Sequence, residues 1–585
     1  MILSPAQTHA PSLPFLEGGL TLLAVAIPFA GARLGSGFFL RIERLFSRLA
    51  HRRGLAVLVV GLTEFLLRLA ILPILPIPKP FVPDDFSFLL AADTFASGRL
   101  TNLTPAMWQH FESIHITLQP TYMTMYFPAQ GLMLALSQVL VGNPWFGTLL
   151  AAALMCAALC WMLQAWLPAD WALLGGLIAV MRLGLFTYWI NTFHAGGSLA
   201  ALGGALVLGA FPRLIRHFRR RDAFLLAIGI ALLILSRPYE GVLLCVPVLV
   251  VLVRGLFFGK KRRAPALVLR RAALPLTLVV LAGGWMAYYD YRAFGSPLTL
   301  PYTVNRNTYA MAPYYVWQKP RPEPVYRHAE MRAFYHYELG GSDAIKTPAG
   351  LAFQTTIDLI RGILFFAGVA LLPPLVFTKW LFRDRRIRFL LIGVLILAAG
   401  MAIETFLLPH YLAPFTAAFY ALGLQAMRHL RVWQAGGVRY GMTMVRLLVT
   451  VCVLLCGVRL TTGPLHIEIP EWPASHWNGT WFGPEPWGQT RADVVSGLEK
   501  LPGGQLAIVR YSADHYPIDE WVYNEADIDR SKLIWAQEMS PAENAELMRY
   551  YKDRKVWLVQ PDRNPVTVEP YPLELAGRAQ KAGTP

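Results

Sequence analysis

The chain has 585 residues, of which 55% are hydrophobic and only 15% charged, and its formal net charge is +17. Repeated apolar runs of about twenty residues, each long enough to cross a bilayer as a helix, exclude an ordinary soluble enzyme. The expected class is a polytopic α-helical membrane protein with about 11–13 transmembrane helices, because helices satisfy their own backbone groups in lipid.

Apolar runs at 15–32 and 54–78 bracket the first basic segment, RIERLFSRLAHRR (41–53). Similar segments recur as RLIRHFRRR (213–221), GKKRRAPALVLRR (259–271), KWLFRDRRIR (379–388) and RHLRVWQ (428–434). This is the positive-inside pattern of cytoplasmic loops, and it accounts for the net charge without a nucleic-acid partner. The first run has few preceding positive charges and no clear cleavage site, so no cleavable signal peptide is expected. The N-terminus should then face outward, with residues 79–125 forming a first non-cytoplasmic loop.

Further apolar runs lie near 127–141, 145–166, 171–190, 193–212, 223–236, 239–257, 271–290, 357–378, 387–408, 410–427 and 441–460. Four runs lie between the loop at 79–125 and the basic segment at 213–221, whereas passage from outside to inside needs an odd number. One must fail to span. The weakest are 127–141, which is short, and 171–190, which contains Arg182. From 213 onward the alternation is regular. It places a second outer loop at 292–356, rich in Tyr, Pro and Arg, where aromatic packing is expected to impose order.

The five cysteines, Cys156, Cys160, Cys245, Cys452 and Cys456, all sit in apolar runs, so no disulfide framework or zinc pattern is read. From Thr461 onward there are 18 acidic and 12 basic residues, a shift that marks a separate soluble domain at 461–585. QLAIVRY (505–511), KLIWAQ (532–537) and KVWLVQ (555–560) read as buried strands, and PAENAELMRYYKD (541–553) as a helix. Ser540 and Glu543 have capping-box spacing. The expected fold is therefore a membrane domain at 54–460, preceded by a span and basic segment at 1–53 and followed by a C-terminal soluble α/β domain. No phosphate loop precedes a helix, and no zinc-protease or serine-triad motif is present.

Ionisable residues gather at the outer ends of the runs: Asp84 and Asp85; His110, Glu112 and His115; His194; Arg237 and Glu240; His410, followed by Tyr411. Ionisable groups at membrane depth are functional candidates. In VPDDFSF, either aspartate could cap the following helix while the other acts as a general base or metal-binding carboxylate. Arg237 and Glu240, in SRPYEG, form either a structural ion pair at a helical corner or a grip on a lipid-linked phosphate, for which the planar guanidinium is suited. His194 precedes a Gly-rich helix whose glycines suit close packing. His410 and Tyr411 lie between proline-bounded runs.

The stretch PDDFSFLLAADTFASGRL, with Asp84, Asp85, Gly98 and Arg99, followed by the proline-led YFPAQGLMLALSQVLVGNPW, resembles the first outer loop of C-type (GT-C) polyprenyl-phosphate-dependent glycosyltransferases. That group includes protein mannosyltransferases and the aminoarabinose transferases of lipid A. The resemblance covers about residues 54–430 and is stronger in layout than in motif. It implies a GT-C-like membrane domain in the bacterial inner membrane, with the active site and tail on the periplasmic side. It implies a sugar donor on polyprenyl phosphate and a glycan, lipid or protein acceptor. It also implies an acidic residue of the first loop, here Asp84 or Asp85, as catalytic base or metal ligand. Arg237, or Arg306 or Arg327 of the second loop, would serve the phosphate, and His194, Glu240, His410 and Tyr411 would line the substrate. A divalent cation is compatible with this layout, but no ligand spacing demands one. A polysaccharide polymerase or ligase, or a transporter, remains an alternative, although no internal repeat of the transporter kind is visible.

Overall fold

The structure, a computed structural model, describes residues 13–194, 196–259, 262–462, 464 and 488–572. Among the described residues, six helices are long and apolar enough to cross a membrane: Trp145–Trp166, Gly197–His217, Pro238–Phe258, Pro265–Phe294, Pro348–Phe366 and Tyr440–Thr461. The shorter apolar helices Phe15–Ala30, Pro128–Val141 and Arg388–Met401 accompany them. Arg53–Ala70, Ala169–Ala179, Arg220–Ser236 and Thr416–Arg431 complete the bundle. The chain is a multi-pass helical membrane protein with a C-terminal α/β region.

Contacts between distant segments collect the basic residues on one face. Glu43 accepts hydrogen bonds from Arg431 at 3.2 Å and Arg446 at 3.0 Å. Gln425 donates to Asp384 at 2.8 Å, Arg216 to the Ala165 carbonyl at 3.0 Å, and Arg271 to the Phe218 carbonyl. At the opposite end, here the loop face, Arg68 donates to the carbonyls of Leu75 and Pro76 and to Asn191, and lies 4.7 Å from the Trp145 ring. Trp145 in turn donates its indole N–H to the Ile190 carbonyl at 2.9 Å, and Gln130 donates to the Phe193 carbonyl at 3.0 Å.

These contacts resolve the odd-number requirement. The start of Pro128–Val141 and the start of Trp145–Trp166 both lie against residues 190–193, so the shorter helix begins and ends on the loop face. Its 14 residues extend about 21 Å, less than the roughly 30 Å of a hydrocarbon core. Gly142, at φ 73°, ends it and starts the turn into Trp145. Its buried residues, Ala129, Gly131, Leu134 and Ala135 among them, pack inward, while Leu136, Val139, Leu140 and Val141 stay exposed. A Cβ on Gly131 would fall 2.6 Å from Ala91, and one on Gly147 would fall 2.2 Å from the Met133 carbonyl. Three apolar runs then remain between the first loop and the basic segment at 213–221, the odd number that alternation needs. Arg182 follows helix Ala169–Ala179. It sits in a π-helical turn, Val180–Gly184, and donates to Glu17 at 2.7 Å, so the first helix is tied to the bundle by a buried ion pair. Glu17 also accepts from the Ala370 N–H at 3.0 Å. Removing one partner of such a pair costs about 3–5 kcal/mol.

On the loop face, helix Pro83–Ala96 leads into a small antiparallel sheet. Its strands are β1 (Asn102–Leu103), β2 (Ile116–Thr117) and β3 (Thr121–Thr124), in the order β1-β3-β2. The second loop carries helices Pro301–Tyr309 and Ala329–Ala344, with Tyr335 stacked against Tyr309 and Tyr326, the aromatic order expected from its composition.

The C-terminal region has strands β4 (Gly504–Val509), β5 (Leu533–Gln537), β6 (Arg554–Gln560) and β7 (Thr567–Pro570), in the order β5-β4-β6-β7. β4 pairs parallel with β5 and β6, and β7 is antiparallel to β6. Helix Pro541–Tyr550 starts with the capping box of Ser540 and Glu543. This region lies directly on the first loop. Tyr523 stacks on Phe86 at 4.8 Å, the Ala526 N–H donates to Asp93 at 2.7 Å, and Tyr122 donates to the Asn524 carbonyl at 2.8 Å.

The placement of Pro128–Val141 is testable by labelling single cysteines from one side of the membrane, in a background whose native cysteines are replaced by alanine. Gln119→Cys and Asn143→Cys are expected to react from the same side and Arg220→Cys from the other. Opposite sidedness of the first two would mean that this helix crosses.

Candidate functional site

Pro83 opens its helix with a preset φ, and the two following carboxylates fall in the first turn, where the helix dipole favours them. The structure separates their roles. Asp85 is buried and fully engaged. Its Oδ1 accepts from the Phe193 N–H and from His194 Nδ1, both at 2.9 Å, and its Oδ2 accepts from the Phe81 N–H at 3.2 Å. It therefore joins the loop helix to the corner preceding Gly197–His217. Asp84 keeps 19% of its side chain exposed, against 3% for Asp85. It accepts from the Tyr126 hydroxyl and lies 3.4 Å from His115 Nδ1.

His115 is placed at the cost of backbone strain, with φ 64° in the left-handed region that side chains other than glycine rarely adopt. Ser87, one turn along the aspartate helix, offsets this by donating to the His115 carbonyl at 2.7 Å, and the Met125 N–H donates to the same oxygen at 3.2 Å. Tyr126 stacks on Phe88 at 4.5 Å, which aims its hydroxyl at Asp84. Burial alone would raise the Asp84 pKa. The His115 imidazole, His194 and the Tyr126 hydroxyl outweigh it and hold the carboxyl well below its usual range. For His194, burial opposes the charge, but Asp85 outweighs it and raises the pKa above the ordinary value.

The other wall comes from two corners. Arg237 ends one helix and precedes Pro238, so it projects where the chain turns. Its guanidinium lies 3.7 Å from Glu240 and 4.6 Å from the Tyr411 ring centroid. The ion pair expected at this corner is present, and 19% of the arginine side chain stays exposed beside it. His410 shares a hydrogen bond with the Tyr188 hydroxyl at 2.8 Å through Nδ1, and its backbone N–H donates to the same oxygen at 3.1 Å. Burial, Arg237 and His194 hold His410 neutral, with only Asp84 opposing. The Gly-rich helix permits this closeness. A Cβ on Gly204 would fall 1.8 Å from the Pro414 carbonyl, and one on Gly197 would fall 2.3 Å from Trp189.

Asp84, Asp85, His194, Arg237, Glu240, His410 and Tyr411 thus come to one region. His110 and Glu112 do not. His110 binds the Gln537 carbonyl at 3.0 Å, while Glu112 accepts from Tyr309 at 2.9 Å and from Arg327 at 3.3 Å. Arg306 is buried in a two-pronged pair with Glu338 at 2.7 and 3.1 Å. Arg306 and Arg327 therefore serve loop structure, which leaves Arg237 as the arginine beside Asp84's neighbours. Sequence reasoning missed Tyr126, Tyr188 and Glu404. Glu404 lies in electrostatic reach of Arg237 and Glu240, and burial pushes its pKa up to about 8, with Glu240 adding and Arg237 opposing. The Tyr126–Phe127 pair just before Pro128 is the one signal in the sequence for Tyr126. Among the described residues no three His, Cys, Asp or Glu side chains gather as a metal-holding group.

No family model and no curated protein matches the chain. Solved structures resemble it distantly. One is the Archaeoglobus fulgidus oligosaccharyltransferase tethered with an acceptor peptide, at 11% identity and TM-score 0.45, covering 86% of this chain and 69% of that one. Another is ArnT from Cupriavidus metallidurans in the apo state, at 15% identity and TM-score 0.46, covering 86% of this chain and 92% of that one. A third is the A. fulgidus enzyme AglB with an inhibitory peptide and a dolichol-phosphate, at 11% identity and TM-score 0.44, covering 86% and 69%. At such scores the side chains of the site carry the functional reading.

The two aspartates should separate in a thermal melt. Asp85→Asn removes an ionised acceptor facing three N–H donors and is expected to cost about 2 kcal/mol, whereas Asp84→Asn should cost about 1 kcal/mol or less. Equal losses, or a larger loss for Asp84→Asn, would contradict the division of roles.

Proposed function

We propose that the chain moves a sugar from a polyprenyl-phosphate donor to a cell-envelope acceptor at its loop face, which is the periplasmic face of a bacterial inner membrane. The observation that carries this reading is the pairing of a part-exposed, ionised Asp84 with a part-exposed Arg237 across a region lined by His194, His410 and Tyr411. A lipid-borne phosphate presented at the membrane edge meets Arg237, whose fork and stacked Tyr411 suit a phosphate oxygen pair. Glu240 orients the guanidinium from its other side.

Asp84 accepts a hydrogen bond from the acceptor's nucleophilic group and takes its proton as the new glycosidic bond forms. The depressed pKa makes it a weak base but keeps it ionised, so it suits a reaction whose leaving group is already a stable phosphate. Phosphate leaves from the anomeric carbon toward Arg237, which stabilises the developing charge. Asp85 acts through position, by holding the helix and His194 in register. The residues at hand also offer Asp84 and His115 as two ligands for a divalent cation, and no step above depends on one.

Transfer from a panel of radiolabelled polyprenyl-phosphate sugars to an envelope extract tests this, with purified protein in lipid. Asp84→Asn is expected to lower transfer by about 100-fold or more while the melt stays near that of the wild type. Transfer within twofold of wild type in that variant would remove Asp84 from the chemistry. His115→Ala withdraws the imidazole that helps depress the Asp84 pKa, so the acidic limb of the pH–rate profile should move to higher pH. An unmoved limb would assign that limb to another group.

A further inference from the structure

On the basic face, far from Asp84, four arginines line one concave pocket. Arg219 and Arg220 come from the start of helix Arg220–Ser236, Arg270 and Arg271 come from the second turn of Pro265–Phe294, and Leu267 completes the wall. The pocket holds about 440 Å³. The turn that forms it is strained, because Phe218 has φ 49° in the left-handed region. That turn carries Arg219 and Arg220 across to the neighbouring helix. Arg271 fixes the junction by donating to the Phe218 carbonyl and lying 5.3 Å from the Phe218 ring centroid.

Among the described residues no carboxylate forms an ion pair with any of the four. The neighbouring Asp222 is buried and pairs with Arg221 at 3.8 Å. Four guanidinium groups held together without a carboxylate repel one another, and an anion bound among them relieves that repulsion. The helix beginning at Arg220 adds its N-terminal N–H groups and dipole to the same place.

The surface beyond the pocket identifies the kind of anion. Leu267, Leu274 and Leu281 follow at seven-residue spacing on the face of Pro265–Phe294 that also bears Arg270 and Arg271, and they are 36%, 63% and 63% exposed. This line of leucines runs from the pocket along a helix that faces mainly outward from the bundle. A free phosphate would use the arginines and leave the leucines idle, whereas a phospholipid uses both. We infer that this pocket binds the phosphate headgroup of an anionic membrane phospholipid, with its acyl chains laid along Leu267, Leu274 and Leu281. The site is separate from the proposed sugar transfer and does not depend on it. Basic pockets between spans on the cytoplasmic side are a known kind of headgroup site.

Native mass spectrometry of the full chain, delipidated and then titrated with cardiolipin, phosphatidylethanolamine or inorganic phosphate, tests the inference. Wild type should retain cardiolipin in preference to phosphatidylethanolamine. Arg219→Gln with Arg220→Gln, both exposed and so safe for folding, should weaken cardiolipin binding by about tenfold. A control carrying Arg383→Gln, Arg385→Gln and Arg386→Gln, also on the basic face, should bind as wild type does. Equal weakening in the control would reduce the effect to general surface charge and overturn the site. Unchanged binding in the pocket variant would overturn it too. Displacement of cardiolipin by millimolar inorganic phosphate would show a phosphate site and overturn the lipid assignment.

Discussion

The loop-face architecture depends on one buried carboxylate. Asp85 takes three hydrogen bonds from two segments: the N–H of residue 81 before its own helix, and the corner at 193–194, which gives the Phe193 N–H and the His194 imidazole. A charge this deep is stable only when its lone pairs are filled, and filling them requires these segments to hold fixed positions. The first loop is thereby locked to the corner that begins the Gly-rich helix. Asp84, one residue earlier, inherits a fixed position without being consumed by structure. Strain at His115 and the stack of Tyr126 on Phe88 then complete its surroundings. Two adjacent, chemically identical residues thus become different groups through their neighbours alone.

A second constraint is the thickness of lipid. It divides the apolar runs into those that cross and the one that does not, and it sends the basic segments to a common face. The Gly-rich helix meets this constraint from inside. Its small residues let the Pro414 backbone approach at Gly204, which brings the His410 corner over Tyr188 and toward Arg237. Close packing of ordinary helices is what delivers polar groups from residues 84, 194, 237 and 410 to one place.

Much of this was legible in the sequence because it follows from composition and local pattern. The basic segments, the strands near 505, 533 and 555, and the capping box at Ser540 depend on neighbours in the chain, and all appear as expected. The gathering of Asp84, Asp85, His194, Arg237, Glu240, His410 and Tyr411 was legible as a shared depth. What stayed hidden depends on partners far away. Hydropathy does not distinguish a crossing helix from Pro128–Val141, whose Gly131 packs against Ala91. Nor does it show that His110, Glu112, Arg306 and Arg327 are committed to pairs within the loops and tail. Tyr126 and Tyr188 went unseen because tyrosine is common at membrane edges, and only geometry reveals which hydroxyl meets a carboxylate or an imidazole.

The docking of the C-terminal sheet on the first loop has a consequence in time. Tyr122 and Asp93 meet partners 402 and 433 residues later in the chain. Synthesis runs from the N-terminus, so the aspartate helix enters the membrane long before the surface that stacks on Phe86 has been made. An unfinished chain carries both carboxylates with that helix uncovered on its far side. Completion of the C-terminal region therefore also covers the aspartate helix, and a polypeptide interrupted anywhere before residue 523 leaves the ribosome with that face of the helix bare.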